Sequence, residues 1–469
     1  MSLAQAALLL LAAGSVVGGH RHPTLAIVML PGGQSHAFQG IAIARSMRGR
    51  GWRTAMVLPD FDHDNLEGKK LLGGGLETVV FKTPPYTNKR FQEEMLKQEE
   101  LMELKTNLHE FVAMHARHFE QMCRHLLDDG AAMDALRGLD ADMLLLDVLF
   151  SCGEAIAELL QTRVMLLDPV DIVDPFMSKL DRFPYSLAVH AAMGSGLVHP
   201  MLVGPLLGGG EAKPLPADLS AILEGAGPRG VVYVSFGTTF RPSSCDVVHG
   251  LAAALSAVNT TVIWAVDLAH LPVGCPLDVA SLPPSIHVMR WVPQDDLLSH
   301  PQLRAFLSHA GVNSIYEAAR RGKPMVCMPL AGDQYDGCAK AVKGGWGLQF
   351  KKGDLSPSTA HKLAAMLEQA AAKDSPLAQR AAVVSGMLNA HPRPAMELAA
   401  DWIEYALALP PDADLSDPAV AMPHWKRYCL DVYAVAAVAV AAVLGVAALV
   451  LRLAWRGLMG LRVKHGKME

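Results

Sequence analysis

The stretch from Trp291 to Gln334, WVPQDDLLSHPQLRAFLSHAGVNSIYEAARRGKPMVCMPLAGDQ, limits the fold more than any other part of the chain. The apolar runs in MRWVPQ, AFLSHAG and MVCMPLAGDQ each end in polar residues, so the stretch reads as strand, loop, strand, helix, strand, loop. Three buried strands then deliver polar side chains to one edge of a sheet, and α/β sheets bind ligands beyond the carboxyl ends of their strands. The fold class expected is α/β, with a ligand site here.

At 469 residues the chain exceeds a single core, and two domains are expected. TLAIVMLP, from Thr24, is a buried strand stopped by Pro31-Gly32-Gly33. The loop Gln34-Ser35-His36, the helical IAIARSMRGRG and the strand WRTAMVLP complete a βαβ beginning. The loop is not GxGxxG, which disfavours a pyridine cofactor. His36 sits where wound sheets place reacting groups, at a helix start whose dipole keeps an imidazole neutral and able to accept a proton; a loop histidine that caps the helix fits the spacing as well. The strand in ADMLLLDVLFSCGEAIAELL ends at Asp147, a carboxylate able to orient such a histidine, or else a helix cap or turn residue. Between them, Tyr86 to about Gly130 is charged and helical in period, a solvated insertion. Its His109, His115, His118 and His125 repeat no metal-ligand spacing and are expected on exposed faces; no metal is inferred.

The segment from Asp168 to about Pro228 is rich in Pro and Gly and links the halves. The domains are therefore read as 20–205, a linker at 206–228, and 229–410. The second opens with GVVYVSFGTTF, whose Gly237-Thr238 suits phosphate oxygens or an ordinary turn, and continues through the strands TTVIWAV, IHVMRWV and GWGLQF to amphipathic helices. Within the central stretch, His309 ends a strand and Gly311-Val312-Asn313-Ser314 opens a helix, a diphosphate site of the glycine-and-dipole type. Ser314-Ile-Tyr-Glu317 also has the spacing of a capping box. Trp291 can stack on a planar base with Gln294 beside it, or fill a core.

Part of the 51% hydrophobic content lies at the chain ends. AQAALLLLAAGSVVGG, within residues 1–19, has the length of a signal peptide, with removal expected around Gly18 to His20. Residues 432–451 are almost all Ala, Val and Leu, without a charge and long enough to span a membrane, after a juxtamembrane segment 411–431. The tail 452–469 carries Arg452, Arg456, Arg462, Lys464 and Lys467, which places it in the cytosol and the main body in the lumen. One such run excludes a multispan transporter. The net charge of −5 without a basic stripe argues against a nucleic-acid partner. Asn259-Thr260-Thr261 is a glycosylation sequon, and seven cysteines without a CxxC pair indicate neither a zinc nor a redox motif; a core of this size needs no disulfide framework.

Trp291-Val292-Pro293-Gln294, His300-Pro301, His309-x-Gly311-x-Asn313-Ser314, Glu317, Gly322-x-Pro324 and Asp333-Gln334 together resemble the signature box of the UDP-glycosyltransferases. The Ser35-His36 loop, the Asp147 segment, VVYVSFGT and the late WIEYAL helix before an apolar span resemble the membrane-anchored members. Ala310 stands where many members carry a second Gly, and Ala37 follows the histidine where bulkier residues are common.

The resemblance implies the GT-B fold, two Rossmann-like domains facing a cleft, with the UDP-sugar held in the C-terminal half, the acceptor in the N-terminal half, and no metal or cofactor. It implies that Trp291 stacks on uracil, that Gln294 and Glu317 meet the ribose, that Thr238, His309, Gly311, Asn313 and Ser314 hold the diphosphate, and that Asp333 and Gln334 hold the sugar. His36 would be the base and Asp147 its partner. The expected reaction is inverting transfer of a hexose or hexuronic acid to a hydroxyl of a small lipophilic acceptor by a protein of the endoplasmic reticulum membrane. A non-catalytic protein of the same fold is the rival expectation, and the oligomeric state, homo-oligomer included, is left open.

Overall fold

The structure is a computed structural model and describes residues 21–83, 108–147, 150, 152–167, 203–204, 206, 210–237, 244–268, 271–272, 274–330, 333–410, 423, 426 and 430–465. The first half runs β1 (Thr24–Val28), α1 (Gln34–Gly49), β2 (Arg53–Pro59), α2 (Asp60–Gly68), β3 (Glu77–Phe81), α3 (Leu108–Asp128), α4 (Gly130–Gly138), β4 (Met143–Asp147), α5 (Cys152–Leu160) and β5 (Arg163–Leu167). Its strands pair in parallel in the order β3-β2-β1-β4-β5. Alternate residues of a strand face opposite sides, so Ala26 and Val28 enter one apolar layer and Leu25 and Ile27 the other. A strand buried on both faces must be apolar throughout, which is why TLAIV reads as a continuous run.

The second half runs α6 (Ala217–Gly225), β6 (Val231–Ser235), α7 (Cys245–Ala257), β7 (Thr261–Ala265), β8 (Ile286–Met289), α8 (Gln294–Ser299), β9 (Leu303–Ser308), α9 (Val312–Arg320), β10 (Met325–Cys327), α10 (Gln334–Lys343), β11 (Gly347–Gln349), α11 (Ala360–Ala371), α12 (Pro376–Asn389) and α13 (Ala395–Ala408). The sheet is parallel in the order β11-β10-β9-β6-β7-β8. In each sheet the order reverses beside the first strand, between β1 and β4 and between β6 and β9. Those reversals are the crevices where open α/β sheets bind ligands.

Packing moves both domain boundaries read from the sequence. The linker at 206–228 contains α6, whose Leu219 and Leu223 lie one helical turn apart in the second half's core; flanking Pro and Gly hide that pair in the sequence. The reading of 229–410 as one domain gives α13 to the second half. Its Ala400 and Ile403 instead join the core of the first sheet, and Arg50 bonds Asp401 and Glu404 at 2.8 and 2.9 Å. Arg163 Nη1 donates to the carbonyls of Ala406, Leu407 and Leu409 at 3.0, 2.9 and 2.8 Å, satisfying the end of α13.

The charged insertion is less solvated than its composition suggests. In α3, Met122 and Leu126 belong to the first half's core, and His118, expected on an exposed face, is buried. Disulfides join Cys123 to Cys152, Cys245 to Cys275 and Cys327 to Cys338, a pairing that core size leaves open; the seventh cysteine, Cys429, lies outside the described residues. Core size gauges whether such bonds are needed, not whether they form. α14 (Leu430–His465) lies in a unit separate from the one that holds both sheets, and its Leu430–Leu453 portion, 24 residues of mean hydropathy 2.8, is long enough for a membrane core of ~30 Å. Residues 1–19, the segment read as a signal peptide, lie outside the described residues.

Candidate active site

In the first half, β1 runs into Pro31-Gly32-Gly33, where Gly32 takes a φ of 77°, a conformation costly for any residue with a Cβ. α1 begins at Gln34, which puts His36 in its first turn. Asp147 is the last residue of β4, the strand on the other side of the reversal. His36 Nδ1 and Asp147 Oδ2 are 2.7 Å apart, with His36 6% and Asp147 1% exposed. Asp147 Oδ2 also accepts from the Leu30 N–H at 3.2 Å. A carboxylate accepts only, so Nδ1 carries the proton and Nε2 is left as the basic nitrogen. His36 is thus hydrogen-bonded to a carboxylate and does not cap α1, whose N-cap is Gly33 with no side-chain bond.

The same loop has two further braces. Asp62, buried on α2, accepts from the Gly32 N–H at 2.6 Å, and Lys69 Nζ donates to Gln34 Oε1 at 2.6 Å. Burial pushes the Asp62 carboxyl up to about 7, against the Gly32 amide and the charge of Lys69, with Asp60 adding to the rise. Sequence reading missed both residues, because DFDHDNLEG carries only the acidic first turn common to exposed helices.

In the second half, β6 is followed by Gly237 and β9 by His309, again on either side of the reversal. The His309 ring lies between two glycines. A Cβ on Gly237 would come within 2.7 Å of His309 Cε1, and one on Gly311 within 2.6 Å of Nε2, so neither position accepts a side chain without moving the ring. Burial lowers His309 to about 4, which leaves the imidazole neutral near pH 7. Ala310 has a φ of 66°, so the place where many family members carry a second glycine is a left-handed position.

α9 starts after Gly311, its N-cap, with no side-chain cap. Ser314 is therefore inside the helix, and the capping-box reading of Ser314 and Glu317 does not hold. Gln294 Nε2 instead donates to Ser314 Oγ at 3.2 Å and to Glu317 Oε2 at 2.5 Å, while its Oε1 accepts from the Tyr233 hydroxyl at 3.3 Å. Tyr233, stacked on Phe306 with centroids 4.9 Å apart, thereby fixes which way the Gln294 amide faces. Burial pushes Glu317 up to about 7, opposed by the Gln294 bond and Arg321 and aided by Asp295.

Trp291, just after β8, is 62% exposed, so its ring is open to a ligand and does not fill a core. Gln334 is 1% exposed and its Oε1 accepts from the Leu330 N–H at 2.8 Å, a brace on the loop after β10. The Cys327–Cys338 bond closes the same segment. Asp333, the N-cap of α10, is pushed up to about 6, chiefly by burial; the nearby His36 opposes the rise, as does the Val312 N–H, and Asp336 adds to it. Asn313 Nδ2 donates to the Ser35 carbonyl at 3.3 Å, and its Oδ1 accepts from Gln39 Nε2 at 3.0 Å. The two halves thus bring His36, Asp147, Asn313 and Asp333 together, with Gln294 and Glu317 further along α9's neighbourhood. Thr238 lies outside the described residues. Among the described residues no three His, Cys, Asp or Glu side chains gather as metal ligands would.

The sequence matches the family described as "UDP-glucoronosyl and UDP-glucosyl transferase" over residues 27–193 and 198–465. A Bos taurus protein named UDP-glucuronosyltransferase 3A1 is 33% identical over 224 residues, 47% of this chain and 41% of that protein. Rattus norvegicus UDP-glucuronosyltransferase 2B15 is 31% identical over 222 residues, 47% of this chain and 39% of that protein. The match thus spans less than half the length of these curated relatives. Among solved structures, Arabidopsis thaliana UGT89C1 complexed with UDP-L-rhamnose is 20% identical with a TM-score of 0.61, over 83% of this chain and 100% of that one. LpCGTa in complex with UDP is 17% identical with a TM-score of 0.58 over the same shares.

Proposed function

We propose a reaction for this chain from one premise: it belongs to the UDP-glucuronosyl and UDP-glucosyl transferase family, and its two wound α/β halves form the GT-B fold. The reaction is inverting transfer of a hexose or hexuronic acid from a UDP-sugar to the hydroxyl of a small lipophilic acceptor, without a metal. The observation that carries it is the buried His36–Asp147 pair, set at the reversal of the first sheet and joined through Ser35 to Asn313 at the start of α9. His36 Nε2 takes the acceptor proton as the hydroxyl oxygen attacks the anomeric carbon, and UDP departs on the opposite side. Asp147 stabilises the imidazolium that forms.

Charge that grows on the diphosphate meets the N–H groups at the start of α9, where Asp333 already takes that of Val312, with His309 as a neutral hydrogen-bonding partner. The exposed Trp291 ring takes the uracil, Glu317 and the oriented Gln294 the ribose, and Asp333 the sugar hydroxyls. Gln334 serves the sugar through the loop it braces. The names of the relatives and the UDP and UDP-L-rhamnose complexes support a UDP-sugar donor. Leu430–Leu453 anchors the protein in the endoplasmic reticulum membrane with the sheets in the lumen, a setting that suits the three disulfides. Membranes that carry the protein, incubated with a panel of UDP-sugars and lipophilic alcohols or phenols, should release UDP in an acceptor-dependent way, unchanged by EDTA. Release that needs Mn²⁺ or Mg²⁺ would refute the metal-free step, and no release with any pair would favour the non-catalytic rival.

A further inference from the structure

Gln39 lies one turn after His36 on α1, three residues on and so on the same face of the helix, and it is buried. Its Nε2 donates to Asn313 Oδ1 at 3.0 Å, while Asn313 Nδ2 donates to the carbonyl of Ser35, the residue before His36. The side chain of Asn313 thus bridges two points of the first half, one on each side of His36.

An asparagine amide has a donating end and an accepting end, whereas a diphosphate offers acceptors only. For Asn313 to serve a diphosphate, its oxygen must be satisfied elsewhere so that the nitrogen is presented. Reversed, the amide would set oxygen against oxygen at Ser35 and, with the Gln39 amide facing as it does, donor against donor at Gln39. One amide hydrogen goes to Ser35, which leaves the second for the ligand. We propose that Gln39 is a positioning residue that selects the orientation of Asn313, turning its amide nitrogen towards the donor diphosphate while tying it to the loop of the base. This rests on the reading of α9 as the diphosphate site.

The test compares Gln39→Leu, which removes the donor, with Gln39→Glu, which replaces it by an acceptor. Each is made alone and in an Asn313→Ala background, with UDP affinity read by calorimetry and melting temperature as the control for folding. Gln39→Leu should weaken UDP about 3- to 10-fold and Gln39→Glu more than 10-fold at pH 8, because a carboxylate draws the amide nitrogen away and turns the oxygen to the ligand. Relative to the unsubstituted protein at the same pH, the Glu variant should regain affinity at pH 5, where a buried carboxylic acid is neutral and again donates. The nearby titrating groups His36, Asp147 and Asp333 are present in both proteins and cancel in that ratio. In the Asn313→Ala background both substitutions should lose their effect. Equal effects for Leu and Glu, no recovery at pH 5, or losses that persist without Asn313 would each overturn the proposal. If the unsubstituted protein binds no UDP at all, the diphosphate reading falls and the proposal with it, an outcome distinct from the other three.

Discussion

At the reversal of the five-stranded sheet, one strand ends in Asp147 and its neighbour leads to His36, and the two side chains form a buried pair. At the reversal of the six-stranded sheet, the corresponding strands lead to Gly237 and to a neutral His309, followed by a helix start without a side-chain cap. The winding is the same and the contents differ. The first crevice holds a buried imidazole and carboxylate, on a loop braced by Asp62, Lys69 and Asn313. The second holds Gly237 and Gly311 packed on the His309 ring at the start of α9. Topology decides where a ligand lies, and the residues at the strand ends decide what happens to it.

Substitutions that act on one half and spare the other test this division. The largest effect is expected from His36→Ala: turnover should fall ~10² to 10⁴-fold while UDP affinity stays within about twofold. A loss of UDP binding of similar size would erase the division of labour. Trp291→Ala should do the reverse, weakening UDP ~10- to 100-fold through lost stacking on the base, with saturated turnover little changed. Steady-state kinetics with calorimetry separate the two.

The smallest effect concerns the brace on the base loop. The folded Asp62 carboxyl, at about 7, lies above the ordinary aspartate value of 3.8, so the folded state binds its proton more tightly than the unfolded chain does. That contribution to stability is whole below pH ~4 and is lost as pH rises to about 7. Asp62→Asn keeps an oxygen for the Gly32 amide and has no carboxyl to ionise. Its melting temperature should therefore gain on the unsubstituted protein by about 1–3 °C per unit between pH 5 and 7, then hold steady. A constant difference across that window would place the Asp62 titration elsewhere.

The strands were legible because burial on both faces demands unbroken apolar runs such as TLAIV and VVYVS. Spacing placed His36, Asp147 and the His309 to Ser314 segment where strand ends meet helix starts, and only the family resemblance paired His36 with Asp147. What spacing left open needed geometry: Ser314 with Glu317 has the pattern of a cap, and only the start of α9 at Gly311 excludes it. Asp62, Lys69, Gln39 and Tyr233 were missed because each acts on a residue of another element, where no local period records the pairing. α13 was assigned to the wrong half for a similar reason, since an amphipathic helix states that it has a partner face and not which one.

The return of α13 to the first sheet has a mechanical meaning. The polypeptide passes from one half to the other and then comes back, fastened by Ile403 in the core and by Arg163 on three carbonyls. α13 thereby attaches the second half to the first sheet by its own packing and hydrogen bonds. A protease cut in the first crossing alone would leave the pieces joined.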